Sequence, residues 1–192
     1  MFVFAVPISA YGILMVDQRG MQSTVFGQAW VDVVHFVGGG IALLVGALAF
    51  NRGILKRTPG LHRRLGFVYF MCVLASGGAG LAMATQSWLG MTTHLGFGCL
   101  AVAWLSTSAL GWRAIRRGDV LTHRRWMVRS YAACYAAVML RLHMILLPIV
   151  FGDFTIAYRI VSWSCWVPNL LFAEWWLRNT SPAGRWLRKS RG

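Results

Sequence analysis

The sequence predicts an all-α, polytopic transmembrane bundle of about six spans with both termini cytoplasmic, and three observations predict it. Of 192 residues, 57% are hydrophobic and only 12% are charged, against about 25% charged in soluble domains. Apolar stretches near 20 residues, the length a helix needs to cross a bilayer, recur along the chain. The formal charge of +14 is also bunched. One cluster is Arg52, Lys56, Arg57, Arg63 and Arg64, and a second is Arg113, Arg116, Arg117, Arg124 and Arg125. A third closes the chain with Arg178, Arg185, Arg188, Lys189 and Arg191. These flank apolar runs as the positive-inside rule expects. The charge therefore reads as topology, and no nucleic-acid partner is implied.

One bundle over 1–192 is expected, with no division into domains. Its surroundings are the lipid bilayer, read as the bacterial cytoplasmic (inner) membrane, with a larger membrane complex or a homo-oligomer as further partner.

The first predicted helix covers 1–16. No basic stretch precedes it, as a secretion signal would need, so it reads as a span with a clipped or misplaced start. Residues 17–27 form a polar turn. The second helix runs 28–50, and the basic loop after it contains the breakers Pro59 and Gly60. The third helix is 62–86 and the fourth 94–115, joined by a short uncharged turn. The loop 116–119, Arg-Arg-Gly-Asp, leads to the fifth helix, 122–150. The sixth is 155–178, followed by the basic tail 179–192. Tryptophans near the ends, among them Trp30, Trp88, Trp112, Trp126, Trp175 and Trp176, fit interfacial belts.

The fifth helix is the most informative. In His123–Arg141 the first and last residues are 18 apart, five turns, so they share a face. An ionisable residue at membrane depth is costly and marks a candidate site. An internal repeat also shows. His62-Arg63-Arg64 and His123-Arg124-Arg125 open two helices 61 residues apart, and His35 and His94 are 59 apart.

Two constellations stand out. His35, His62, His94 and His123 lie on helices two to five, and facing histidines are how helical bundles hold haem iron. His62 and His123 are the candidate iron ligands at the cytoplasmic end, with His35 and His94 as an outer pair. Small residues on the same stripes, such as Gly46, Gly66 and Gly80 beside Tyr69, give room for a macrocycle or for close helix packing. His143 faces another way.

The second constellation is buried charge. Asp32 is expected to pair with Arg141 or Arg159 in the outer half, neutralising an otherwise expensive charge. Glu174 is expected to pair with Arg178, four residues on, with Arg129 as the other candidate. Each of the four cysteines sits in its own apolar run and no CxxC exists, so neither zinc nor a disulfide framework is implied. No Ser-His-Asp set, HExxH or P-loop appears, so hydrolase and NTPase chemistry lack support.

Four stretches together resemble a known family. LHRRLGFVY (61–69), GFGCLAVAWLSTSALGWRAIRRGD (96–119), HRRWMVRSYAACYAAVMLR (123–141) and AYRIVSWSCWVPNLLFAE (157–174) look like the bacterial membrane-protein family called domain of unknown function 2306. The family has no established activity, so the resemblance implies a fold and a set of positions. These fall on His35, His62, Arg63, Gly66, Tyr69, His123, Arg124, Trp126, Met127 and Arg129, then on Arg141, Tyr158, Arg159, Asn169 and Glu174. The chain departs from the pattern at Ala49, where the family tends to have glutamine, and His94 is not a position it demands. Histidines on helices two to five are also similar to the cytochrome b561 architecture.

The function expected is a b-type haem electron carrier or quinone-interacting protein, with His35, Arg141 and Arg159 shaping an outer polar site. The alternative is a non-enzymatic subunit or small-ligand binder held together by its buried ions. A third reading is proton-coupled transport through Asp32, His35 and Arg141.

Overall fold

The computed structural model describes residues 26–87 and 89–180. The first predicted helix, Trp88 and nearly all of the basic tail lie outside them. Within the described residues the regular structure is all helical, with eight helices and four segments long and apolar enough to cross a membrane.

Helix α1 (Phe26–Ala49) leads into a short α2 (Arg52–Arg57) inside the segment predicted as a loop. Asn51 nucleates α2, its side chain accepting from the Gly53 and Ile54 amides at 2.8 and 3.4 Å, as an N-cap residue does. Helix α3 (Pro59–Ala84) begins three residues before its predicted start. Pro59 opens this helix, because its missing N–H is one that a first turn leaves unpaired anyway. Helix α4 is Met91–Arg116, and α5 (Val120–Cys134) continues into α6 (Ala136–Phe151) across a single turn residue, Tyr135. The two together make one membrane-length segment, matching the predicted fifth helix.

The predicted sixth helix is interrupted. It forms as α7 (Phe154–Ser164) and α8 (Val167–Thr180). Pro168 explains the break, since it cannot donate to the Ser164 carbonyl and its ring crowds that turn. Two neighbouring side chains mend the ladder. Trp166 Nε1 donates to the Ser162 carbonyl at 2.9 Å, and Asn169 Nδ2 donates to the Cys165 carbonyl at 2.9 Å. Unpaired carbonyls are costly at membrane depth, and Trp166 and Asn169 satisfy two that flank the break.

Helices α1, α3, α4 and α5 close into a four-helix ring, in which α1 packs on α3, α3 on α4, α4 on α5, and α5 back on α1. Helices α6 and α7 pair beside it, α7 leaning on α4 while α8 lies along α5. The ring's core is built from Leu43, Tyr69, Val73, Trp104, Tyr131, Cys134 and Val138. A smaller cluster around Ala136, Val161 and Cys165 joins the outer pair to it. Large apolar side chains elsewhere, such as Leu81, Val102, Ile145 and Leu171, are exposed, as suits a surface solvated by lipid.

Candidate functional site

The four predicted histidines sit at the joints of the ring, and all four use the same nitrogen in the same way. His62 Nδ1 on α3 donates to the Ala49 carbonyl of α1 at 3.1 Å. His94 on α4 reaches the Ala84 carbonyl of α3 at 2.7 Å. His123 on α5 reaches the Gly111 carbonyl of α4 at 2.9 Å, and His35 on α1 reaches the Ser76 carbonyl of α3 at 2.9 Å. Ser76 answers through its hydroxyl, which donates to the His35 carbonyl at 2.7 Å. Ala49 and Ala84 end their helices, so His62 and His94 satisfy carbonyls that a helix end leaves over.

These bonds fix the tautomer. A carbonyl can only accept, so Nδ1 carries a proton, and the neutral imidazole then has its lone pair on Nε2. None of the four Nε2 atoms is hydrogen-bonded to a described residue. That is how ligating histidines are held elsewhere: the far nitrogen is anchored to backbone and the near one is left for the metal.

The ring's centre carries a polar network that sequence reasoning missed except for Tyr69. Tyr69 Oη and Ser130 Oγ are 2.7 Å apart, and Ser130 Oγ and Ser108 Oγ 2.6 Å. Trp104 Nε1 donates to Tyr69 Oη at 3.3 Å, and Tyr131 Oη donates to the Leu43 carbonyl at 3.0 Å. Because an indole only donates, Tyr69 accepts from Trp104, while either hydroxyl can donate between Tyr69 and Ser130. Each of these side chains is under a tenth exposed. A signal for Ser130 was present, since it lies 61 residues after Tyr69, the same offset that separates the two His-Arg-Arg motifs.

This contact also orients the stripes. His62, Gly66 and Tyr69 lie at i, i+4 and i+7, and so do His123, Met127 and Ser130, so each set shares one helix face. Tyr69 meets Ser130 across the ring, so both faces turn toward its centre. The two histidines sit two turns, about 10 Å, nearer the basic end. A Cβ on Gly66 would meet nothing within 4 Å, which leaves open space on the His62 stripe. Two turns deeper the centre is full: a Cβ on Gly46 would lie 2.5 Å from the Tyr131 ring and 3.0 Å from Tyr69. The Gly80 notch is taken by the His35 ring itself, 2.8 Å away. The stripe is therefore open at Gly66 and closed at the level of Gly46. No group of three or more His, Cys, Asp or Glu side chains converges among the described residues. A structural zinc needs four protein donors, whereas haem iron with two axial histidines asks for two.

The charged candidates separate. Glu174 pairs with both arginines, and the closer is Arg129, at 2.7 Å and 3.0 Å to one carboxylate oxygen, with Arg178 at 3.4 Å. The order expected from sequence is thus reversed, because i, i+4 spacing ignores a partner brought in by tertiary packing. Arg129 also lies 4.8 Å from the Trp126 ring centre, and Arg124 lies 6.0 Å from that of Trp176. This set docks α8 onto α5. Asp32 closes neither expected pair, since both ion pairs between described residues belong to Glu174. Arg141 turns back along its own helix, its Nη1 donating to the Ala137 carbonyl at 2.7 Å, and Arg159 is exposed. Among the described residues, Asp32 and Arg141 are nonetheless charges close enough to act on His35. His143, set aside on sequence grounds, ties α6 to α7 through the Ser164 hydroxyl at 3.0 Å.

No curated protein and no solved structure matches this chain. The family described as predicted membrane protein (DUF2306) does match, over residues 33–177, which takes in all four histidines, the central hydroxyls and Glu174. The chain is a membrane protein of that family.

Proposed function

We propose that the protein is a membrane electron carrier that holds a b-type haem between His62 and His123 at its basic end. The observation that carries this reading is the pair of stripes facing one another across the ring, each with an Nδ1-anchored histidine. The open space at Gly66 supports it. His62 and His123 would offer Nε2 to the iron, and the Ala49 and Gly111 carbonyls would hold the two imidazoles in the ligating tautomer. Such a group supplies one-electron chemistry when bound, with a quinone as a suitable partner. His35 and His94 are anchored in the same way and form the second, outer pair of the proposal, with Asp32 and Arg141 as the nearby charges. We place the basic end at the cytoplasmic face of a bacterial inner membrane, a reading the positive-inside rule supports.

The test is a reduced-minus-oxidised visible spectrum and a pyridine haemochrome assay on protein purified in mild detergent. A b-type spectrum lost in His62→Ala and in His123→Ala is expected. Colourless protein from haem-replete cells would sink the reading.

The packing at Gly46 supports a second reading, a non-enzymatic subunit or small-ligand carrier in which the histidines only fasten helices together. It predicts colourless protein that co-purifies with a larger membrane partner. Proton-coupled transport through Asp32, His35 and Arg141 predicts instead that Asp32→Asn alters flux and leaves any pigment untouched.

A further inference from the structure

The elbow between α1 and α3 gathers cations that no described acid neutralises. Lys56 and Arg57 end α2, and Arg63 and Arg64 lie in the first turns of α3. All four are exposed, and none has a described acid within ion-pair distance. The corresponding end of the other hairpin also exposes arginines, Arg113, Arg116, Arg117 and Arg125, but sets acids among its cations. There Asp119 stands at the head of α5, Arg124 rests over Trp176, and Arg129 is held by Glu174. Interleaved with the elbow's cations are partly exposed apolar side chains, Phe50, Leu55 and Leu61, each 40% exposed or more, Phe50 also packing on the Tyr131 ring. Cations and exposed apolar groups on one short element at the end of a membrane span match the layering of a leaflet, phosphate outermost and acyl chain beneath.

We propose that this elbow is a binding surface for an anionic phospholipid of the leaflet at the basic end. Lys56, Arg57, Arg63 and Arg64 gather round its phosphate, and Phe50, Leu55 and Leu61 lie among its acyl chains. A freely dissolved phosphate would use the cations but leave those apolar side chains in water, so the surface commits to lipid. It adjoins His62 but uses neither histidine of the pair, and it does not depend on the haem reading.

The experiment is native mass spectrometry of the full chain released from nanodiscs that mix phosphatidylglycerol and phosphatidylcholine. The parent protein should retain phosphatidylglycerol with a preference of about tenfold or more, shrinking as salt is raised. The variant K56Q/R57Q/R63Q/R64Q should lose most of that preference, while R113Q/R116Q/R117Q/R125Q, with as many charges removed at the other hairpin, keeps it. The salt series on the parent reads the same surface without a mutation. Equal retention of the two lipids, an unchanged preference in the elbow variant, or an equal loss in the second variant would each overturn the proposal. Displacement of the lipid by millimolar inorganic phosphate would do so as well.

Discussion

The hairpin of α1 and α3 and the hairpin of α4 and α5 carry the same His-Arg-Arg tripeptide and surround it differently. In both, the histidine reaches back to a carbonyl near the end of the preceding helix, so this step is common to the two copies. Beyond that bond the two settings diverge. Thr58, at the head of α3, gives no side-chain cap and spends its hydroxyl on the Ile54 carbonyl, whereas Asp119 caps α5 by accepting from the Thr122 amide at 3.0 Å. The small-residue notches differ too. Gly46 admits two aromatic rings, while a Cβ on Gly111 would meet the thioether of Met127 at 2.9 Å. The first hairpin thus faces rigid aromatic partners inside and unpaired cations outside. The second has a flexible partner inside, and outside it sets protein anions among its exposed arginines.

The largest effect should come from testing the notches. Gly46→Ala drives a methyl into the Tyr131 ring, which has no free end to move, and should cost about 2–3 kcal/mol. Gly111→Ala meets the unbranched, adaptable end of a methionine, and should cost less than about 1 kcal/mol. Thermal melts of both variants in one detergent check the pair, and equal losses would dissolve the contrast. Next is Tyr69→Phe, which leaves the Trp104 indole and the Ser130 hydroxyl short of a partner in a dry core. A loss of about 1–2 kcal/mol is expected, and Ser108→Ala, at the end of the same chain, should lose less. Glu174→Gln weakens the attachment of α8 to α5 by about 1 kcal/mol or less, because the pair is partly exposed. It should also raise protease cleavage within α8 before it lowers the melting point.

The smallest effect is a pH dependence confined to the second hairpin. Hydrogen bonds from Thr122, amide first, hold the Asp119 carboxyl below its ordinary range. A depressed carboxyl gives stability that is present above its unfolded-state value and is lost as pH falls through the folded one. Amide exchange at Thr122 should therefore quicken only in acid, below the usual carboxylate range, and Asp119→Asn should abolish that step. The α2–α3 elbow has no titrating cap and should show no such step.

Much of this was legible in the sequence, and the misses have identifiable causes. Span positions followed from apolar runs bounded by arginines, because lipid leaves a helix little choice. The positions of the four histidines were visible, but their bonds were not, since a carbonyl acceptor leaves no mark in side-chain chemistry. Pro168 was in plain view, yet a span of the right hydropathy hid the interruption and the indole and amide that repair it. Ser108 and Ser130 read as ordinary small residues because their value lies in meeting Tyr69. Arg129–Glu174 beat Arg178–Glu174 for a similar reason: the closer partner is 45 residues away.

The Tyr69–Ser130 contact also bears on descent. If the two hairpins arose by duplication with a 61-residue offset, a residue and its own later image meet there, which happens only on the axis relating the copies. Two identical side chains at such a point collide if both are large and part if both are small. A tyrosine facing a serine there marks a point at which the two copies are unequal. The exchanged protein, Y69S/S130Y, should rebuild the contact from the opposite side where each single change destroys it.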